Sequence, residues 1–132
     1  MSWVEEAIAT WKEAGIKLRP GASPERIAQV ETLLGFQFPE DFVALYLEMD
    51  GFVDFDWDDE LISVWSLDRM VKEYIEDKDV NYIGFCDYCI NCYSFGFLKI
   101  EAGIFCSADQ TKSSAENFSA FVRLMLLCSA LV

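Results

Sequence analysis

Two groups of residues in this chain have the types and spacing to do chemistry. The first is Cys86, Cys89 and Cys92, at three-residue intervals within GFCDYCINCYSF (84–95). The second is the acidic run DFDWDDE (54–60), in which Asp54, Asp56, Asp58, Asp59 and Glu60 surround Phe55 and Trp57.

The cysteines suggest a metal or redox centre. C-x2-C-x2-C opens a bacterial ferredoxin cluster motif, which then continues x3-C-P. Here Tyr93-Ser94-Phe95-Gly96 follows Cys92, and the next cysteine is Cys106. The fourth ligand and the proline are missing. Structural zinc needs four tetrahedral ligands, usually as two knuckle pairs. One knuckle is available, the chain has no histidine to complete it, and Cys106 would have to reach across a sheet. Thioredoxin-type chemistry places C-x-x-C at a helix start near a βαβ pattern, whereas these cysteines straddle a turn. The simpler reading is a hairpin. Cys86 ends one strand, Cys89 lies in the turn and Cys92 begins the next strand, each used as a small, readily buried hydrophobe. No metal and no cofactor is expected.

The acids are concentrated. Residues 1–38 carry a net charge of -1, residues 39–60 hold nine acids and no base, and residues 61–132 carry a net of -3. Three uses compete for the run at 54–60. Asp54-x-Asp56-x-Asp58 copies the opening of an EF-hand loop, but Asp59 stands where the glycine belongs and Trp65 where the closing glutamate belongs. Clustered carboxylates can raise one another's pKa and supply an acid and a base, yet no nucleophile or phosphate cradle accompanies them. The third use is a protein interface. Acids steer a basic partner, and aromatics supply hot-spot contacts. Its plain counterpart is a solvated loop whose aromatics pack inward. The expected contact set is Glu48, Asp50, Asp54, Phe55, Asp56, Trp57, Asp58, Asp59 and Glu60.

The composition narrows the classes. The absence of histidine removes Ser–His–Asp and Cys–His nucleophiles and the commonest general base near neutral pH, so no enzymatic activity is expected. A net charge of -13 opposes binding to nucleic acid or to an anionic membrane. No apolar run reaches the roughly 18 residues of a membrane span. The N-terminus carries acids where a signal peptide would carry bases. Five cysteines, an odd number, suit a reducing compartment. These features read as a cytoplasmic protein. With 132 residues, 53% hydrophobic and 15% aromatic, the chain has material for one domain over 1–132.

The elements that would position these residues are legible in outline. Ser2 and Glu5 form a capping-box pattern before a helix whose apolar positions are Val4, Ala7, Ile8 and Trp11, with Gly15 placed to end it. Ser23 and Pro24 open a second helix, with Ile27, Val30 and Leu34 on its buried stripe and Gly35 as the stop. Pro39 opens a third, with Phe42, Leu45, Tyr46 and Met49 on one face, closed by Asp50-Gly51. Strands are expected over 60–67, 82–86, 92–100 and 103–108, with turns at 87–91 and near 101–103. A helix is expected from about Leu67 to Asp77. A second capping box at Ser113–Glu116 would open a closing helix carrying Phe118, Phe121, Leu124, Met125 and Cys128. This order predicts an α+β fold, a twisted and mostly antiparallel sheet packed with helices.

Ser23-Pro24-Glu25-Arg26-Ile27, Val30 to Gly35, Phe38-Pro39-Glu40-Asp41-Phe42 and Leu45 to Gly51 together resemble the SUKH superfamily. That group includes fungal cell-wall assembly regulators and many bacterial immunity proteins. Leu61 to Leu67, Ile83 to Phe97 and Asn117 to Phe121 fit its later strands and closing helix, so the resemblance covers roughly residues 20–130. The cysteine-rich hairpin departs from it. The resemblance implies the same α+β fold and a cytosolic immunity protein that neutralises a toxin of a contact-dependent or secreted polymorphic system, often a nuclease. A basic cognate toxin is the implied partner. The alternative is a regulatory interaction module in signalling or cell-envelope assembly. The fungal regulators carry long disordered extensions that this chain lacks, which favours immunity.

Overall fold

The computed structural model describes residues 2–53, 62–88 and 93–130, the last four of these in backbone only. The acidic run at 54–60, Cys89 and Cys92 lie outside the described residues.

Helix α1 spans Trp3–Glu13, and Ser2 Oγ accepts the Glu5 N–H at 3.2 Å, which is half of the expected capping box. Helix α2 spans Pro24–Leu34. Ser23 Oγ accepts the Arg26 N–H, and Gly35 closes the helix in the left-handed conformation. The Glu31 carboxylate then accepts the Phe38 N–H at 2.7 Å and fixes the path into helix α3, Glu40–Tyr46.

α3 ends sooner than its apolar spacing suggests. Met49 continues the helical stripe in sequence, yet Met49–Phe52 is a strand, β2, paired antiparallel with β1 (Leu18–Pro20). The reason is tertiary. Gly51 has φ +78, and a Cβ there would lie 2.4 Å from the Trp65 carbonyl. Only glycine allows that approach at that backbone conformation.

Five strands form the main sheet: β3 (Ile62–Val64), β4 (Tyr82–Tyr88), β5 (Tyr93–Leu98), β6 (Glu101–Cys106) and β7 (Asp109–Ala115). They lie in chain order and every neighbouring pair is antiparallel. Helix α4 (Leu67–Glu76) connects β3 to β4, and helix α5 (Phe118–Ala130) closes the chain. The fold is therefore α+β, as expected.

Two local expectations are corrected. The turn before β6 is at Lys99-Ile100, and β6 already begins at Glu101. Ser113 and Ala115 are not a helix cap but part of β7, a strand with no buried residue. It carries no apolar alternation, because only its last residue, Ala115, packs against the core, so its serines read as a cap in the sequence. Asn117 does the capping of α5, its Oδ1 accepting the Ala120 N–H at 2.8 Å.

The helices bury one face of the sheet in an aromatic core. Phe42 stands at its centre, stacked on Phe38 at 4.2 Å and on Tyr46 at 4.1 Å, with Phe118 edge-on at 5.0 Å. Phe85 and Phe97 of the sheet meet Phe118 from the other side. Such stacked and edge-on contacts contribute about 0.5–1.5 kcal/mol each beyond area burial.

Candidate functional site

The four acids of 39–53 divide into two kinds. Asp41 and Asp50 are built into the fold. Asp41 accepts the N–H of Phe42 with Oδ1 and of Ser119 with Oδ2, each at 2.9 Å, and so ties α3 to the start of α5. Asp50 Oδ1 accepts the Leu67 N–H at 2.8 Å and caps α4 together with Ser66. Burial pushes the Asp50 carboxyl above its ordinary value, and the Leu67 hydrogen bond opposes that shift. Glu40 and Glu48 are exposed. Glu48 borders a recess between α1 and α3 together with Trp3 and Lys12. Asp54, Phe55, Asp56, Trp57, Asp58, Asp59 and Glu60, the remainder of the expected contact set, lie outside the described residues.

Polar chemistry gathers on the sheet face opposite the aromatic core. Side chains alternate along a strand, so Asp87 and its cross-strand partner Ser94 point away from the Cys86–Phe95 row. Asp87 is 4% exposed. Its Oδ2 accepts the Trp65 indole N–H at 2.6 Å and pairs with Arg69 at 3.1 Å. The Arg69 guanidinium in turn lies 4.7 Å from the centre of the Trp65 ring and reaches Glu73 at 3.8 Å. Trp65 covers Gly84, where a Cβ would come within 2.8 Å of its ring. Its carbonyl accepts the hydroxyl of buried Tyr46 at 2.6 Å. A single tryptophan thus links β3, β4, α3 and α4.

Beside this network is a groove of about 250 Å³ between the C-terminal half of α4 and strands β4 and β5. Glu73, Glu76 and Asp77 line its helical side, and Tyr82, Gly84 and Ser94 its sheet side. The Tyr82 hydroxyl and Ser94 Oγ are 2.7 Å apart, and burial holds the Tyr82 phenol well above its ordinary range. It stays protonated at neutral pH. Sequence reading missed this cluster. A signal was present: Asp87 is a lone acid in an otherwise apolar strand, YIGFCDY, and such a residue needs a buried partner.

The described cysteines sit in the sheet. Cys86 is fully buried within β4 rather than at its end, and Cys106 is half-buried in β6. Both pair with Phe95 of the intervening strand. Two strand spacings separate them, about 10 Å, too far for one metal ion or a disulfide. Among the described residues no three Cys, Asp or Glu side chains converge on a metal position, and no helix is long and apolar enough to cross a membrane.

No curated protein sequence matches the chain. A family model does match, over residues 21–124, from the α2 cap through the sheet and most of α5. On that match, and with the fold it accompanies, the chain belongs to the SMI1/KNR4 family (SUKH-1).

Proposed function

We propose that this protein is a non-enzymatic immunity protein that binds and neutralises a cognate toxin in the cytosol, the toxin being a basic nuclease. The family to which it belongs includes both immunity proteins and SMI1/KNR4 regulators. The observation that carries the reading is the charge of residues 39–60, nine acids without a base. A nuclease needs a basic surface to hold phosphates. An acidic inhibitor matches that surface, and the charge raises the association rate. Phe55 and Trp57 are suited to anchor the complex and slow dissociation. Asp41 and Asp50 serve the fold, so Asp54, Asp56, Asp58, Asp59 and Glu60 carry the steering together with Glu48.

Affinity capture from the source cells, followed by mass spectrometry, supplies the partner. A stoichiometric basic toxin domain is the expected result. Housekeeping or envelope proteins alone, held at moderate salt, would favour the regulatory module. With the toxin in hand, Asp54, Asp56, Asp58 and Asp59 are changed together to Asn. The association rate should fall at least about tenfold and lose most of its salt dependence. An unchanged rate and salt slope would place the interface elsewhere.

A further inference from the structure

Helix α3 is packed on its inner side only. It meets chiefly α5 and β2, while α1 packs on α5 and α2 on α4. The neighbouring helices therefore leave a recess on each side of α3. One, of about 460 Å³, lies toward α2 and is lined by Ile27, Phe38 and Val43. The other, of about 760 Å³, lies toward α1 and is lined by Trp3, Ile8 and Ala9. Ala44 borders both, so it forms the ridge between them, and it is exposed. Leu47, three residues on, is 41% exposed. An apolar strip thus crosses three helices, uncovered among the described residues.

The charge around this strip is almost all of one sign. Glu40, Ala44 and Glu48 stand four residues apart, on one row of the helix surface. Two exposed acids therefore bracket the alanine, about 12 Å from end to end at the helical rise. Glu31 and Glu5 border the two recesses as well, and Lys12 is the one base on either lining among the described residues. Glu31 has a task in the fold, since it accepts the Phe38 N–H. Glu48 follows the α3 C-cap, Leu47, at the negative pole of the helix, so it is not there to stabilise α3. A second copy of the chain would set these acids against their own kind. A basic partner complements them.

We infer that the outer face of α3 is a docking site for a basic amphipathic helix of a partner protein. In a helix, the residues three and four positions after a given one diverge to either side of its row. Apolar side chains at those two positions straddle Ala44 and enter the two recesses. Lysine or arginine at the first position and seven residues on, about 10.5 Å apart, reach Glu40 and Glu48. Ala44 carries nothing beyond its Cβ, which lets the two helix axes approach to roughly 8–10 Å. The partner's signature is a base, two residues, two apolar residues, two residues and a base, the pattern of a helix laid in a groove. The site is separate from the acidic run at 54–60 and does not rest on the partner being a toxin.

The test uses the full chain and, as probe, an alanine-rich synthetic peptide of about fifteen residues. It carries the signature as two lysines and two leucines and is held helical by a lactam bridge on its far face. Amide NMR shifts follow the titration near physiological ionic strength. Saturable shifts are expected at Ile8, Ile27, Ala44 and Leu47, with a Kd of about 0.1–1 mM. A peptide of the same composition, with lysines and leucines on opposite faces, should bind at least about tenfold more weakly. Ala44→Lys should abolish binding. Ala44 is exposed and lysine is a good helix former, so this variant folds, which an unchanged melting temperature checks. Glu40→Gln combined with Glu48→Gln should weaken binding at least about fivefold and flatten its salt dependence. Absence of saturable shifts at these amides, equal binding of the rearranged peptide, or an unchanged response in either variant overturns the proposal. Shifts at the same amides when the protein is concentrated without peptide also overturn it, since they assign the face to a second copy. The experiment contains no toxin, so its failure leaves the immunity reading untouched.

Discussion

The two faces of the five-stranded sheet are built from different chemistry. The helix-covered face is rich in phenylalanine where it meets α3 and α5: Phe97 and Phe118 pack on Phe42, and Phe85 packs on Phe97, Phe118 and Phe121. The opposite face carries Tyr82, Asp87, Ser94 and the ring of Trp65, whose polar atoms all have partners. Rings without a polar atom can be stacked in any orientation that fills space. Rings with one must also place a donor or acceptor. The first face therefore holds the fold together through volume, and the second combines a small apolar cluster of Tyr82, Leu98 and Phe105 with a few specified bonds.

The sharpest way to break this contrast is at Phe42. Phe42→Ala should destabilise the protein by about 3–5 kcal/mol, read as a lower urea midpoint with little change in slope. A loss below about 1 kcal/mol would mean that the core collapses around the gap and is not close-packed.

Asp87 is the counterpart on the other face. Asp87→Ala strands the buried Trp65 N–H and removes the main partner of Arg69. A loss of about 2–3 kcal/mol is expected. Arg69 is partly exposed, so water recovers some of its share. Asp87→Asn keeps an acceptor for the indole and should lose less. Equal losses for the two variants would mean that the Arg69 pair, not the indole bond, dominates.

The smallest effect belongs to Asp50. Asp50→Ala removes an acceptor at the start of α4 and should cost about 1 kcal/mol, whereas Asp50→Asn should be near neutral. The pH dependence separates charge from hydrogen bond. The carboxyl is raised above its ordinary 3.8 by burial, so the folded state holds the proton more tightly than the unfolded chain. Its favourable contribution is complete below 3.8 and is lost as pH rises through the folded value. Urea midpoints across that window should show this slope in the parent protein and lose it in Asp50→Asn. An unaltered slope would assign it to another carboxyl.

Much of the covered face was legible from sequence, and little of the other. The caps at Ser2 and Ser23, the stop at Gly35 and the stripes through Val30, Leu34, Phe42 and Tyr46 are local signals, and each behaves as its spacing implies. Helix α4 was legible to within a residue of its C-terminal end. Strand β2 was not, because Gly51 answers to the carbonyl of Trp65, fourteen residues away. Strand β7 was not, because an exposed strand leaves no apolar period to read. The groove was the least legible of all. Its acids and its tyrosines come from separate elements, and only the pairing of β4 with β5 and the packing of α4 bring them together.

The polar character of β7 has a consequence for the protein at high concentration. A strand at the margin of a sheet offers unpaired backbone groups to any similar strand that approaches. In β7 that margin carries Thr111, Lys112, Ser113 and Ser114, all exposed, with no apolar residue among them. The opposite margin, β3, is three residues long and buried. A second copy that docks its β7 alongside would bring lysine against lysine and would bury hydroxyls without reward. Short, charged or polar margins of this kind oppose edge-to-edge growth into fibrils. In a chain that is more than half hydrophobic, this margin gives an approaching copy no apolar strip to pair with.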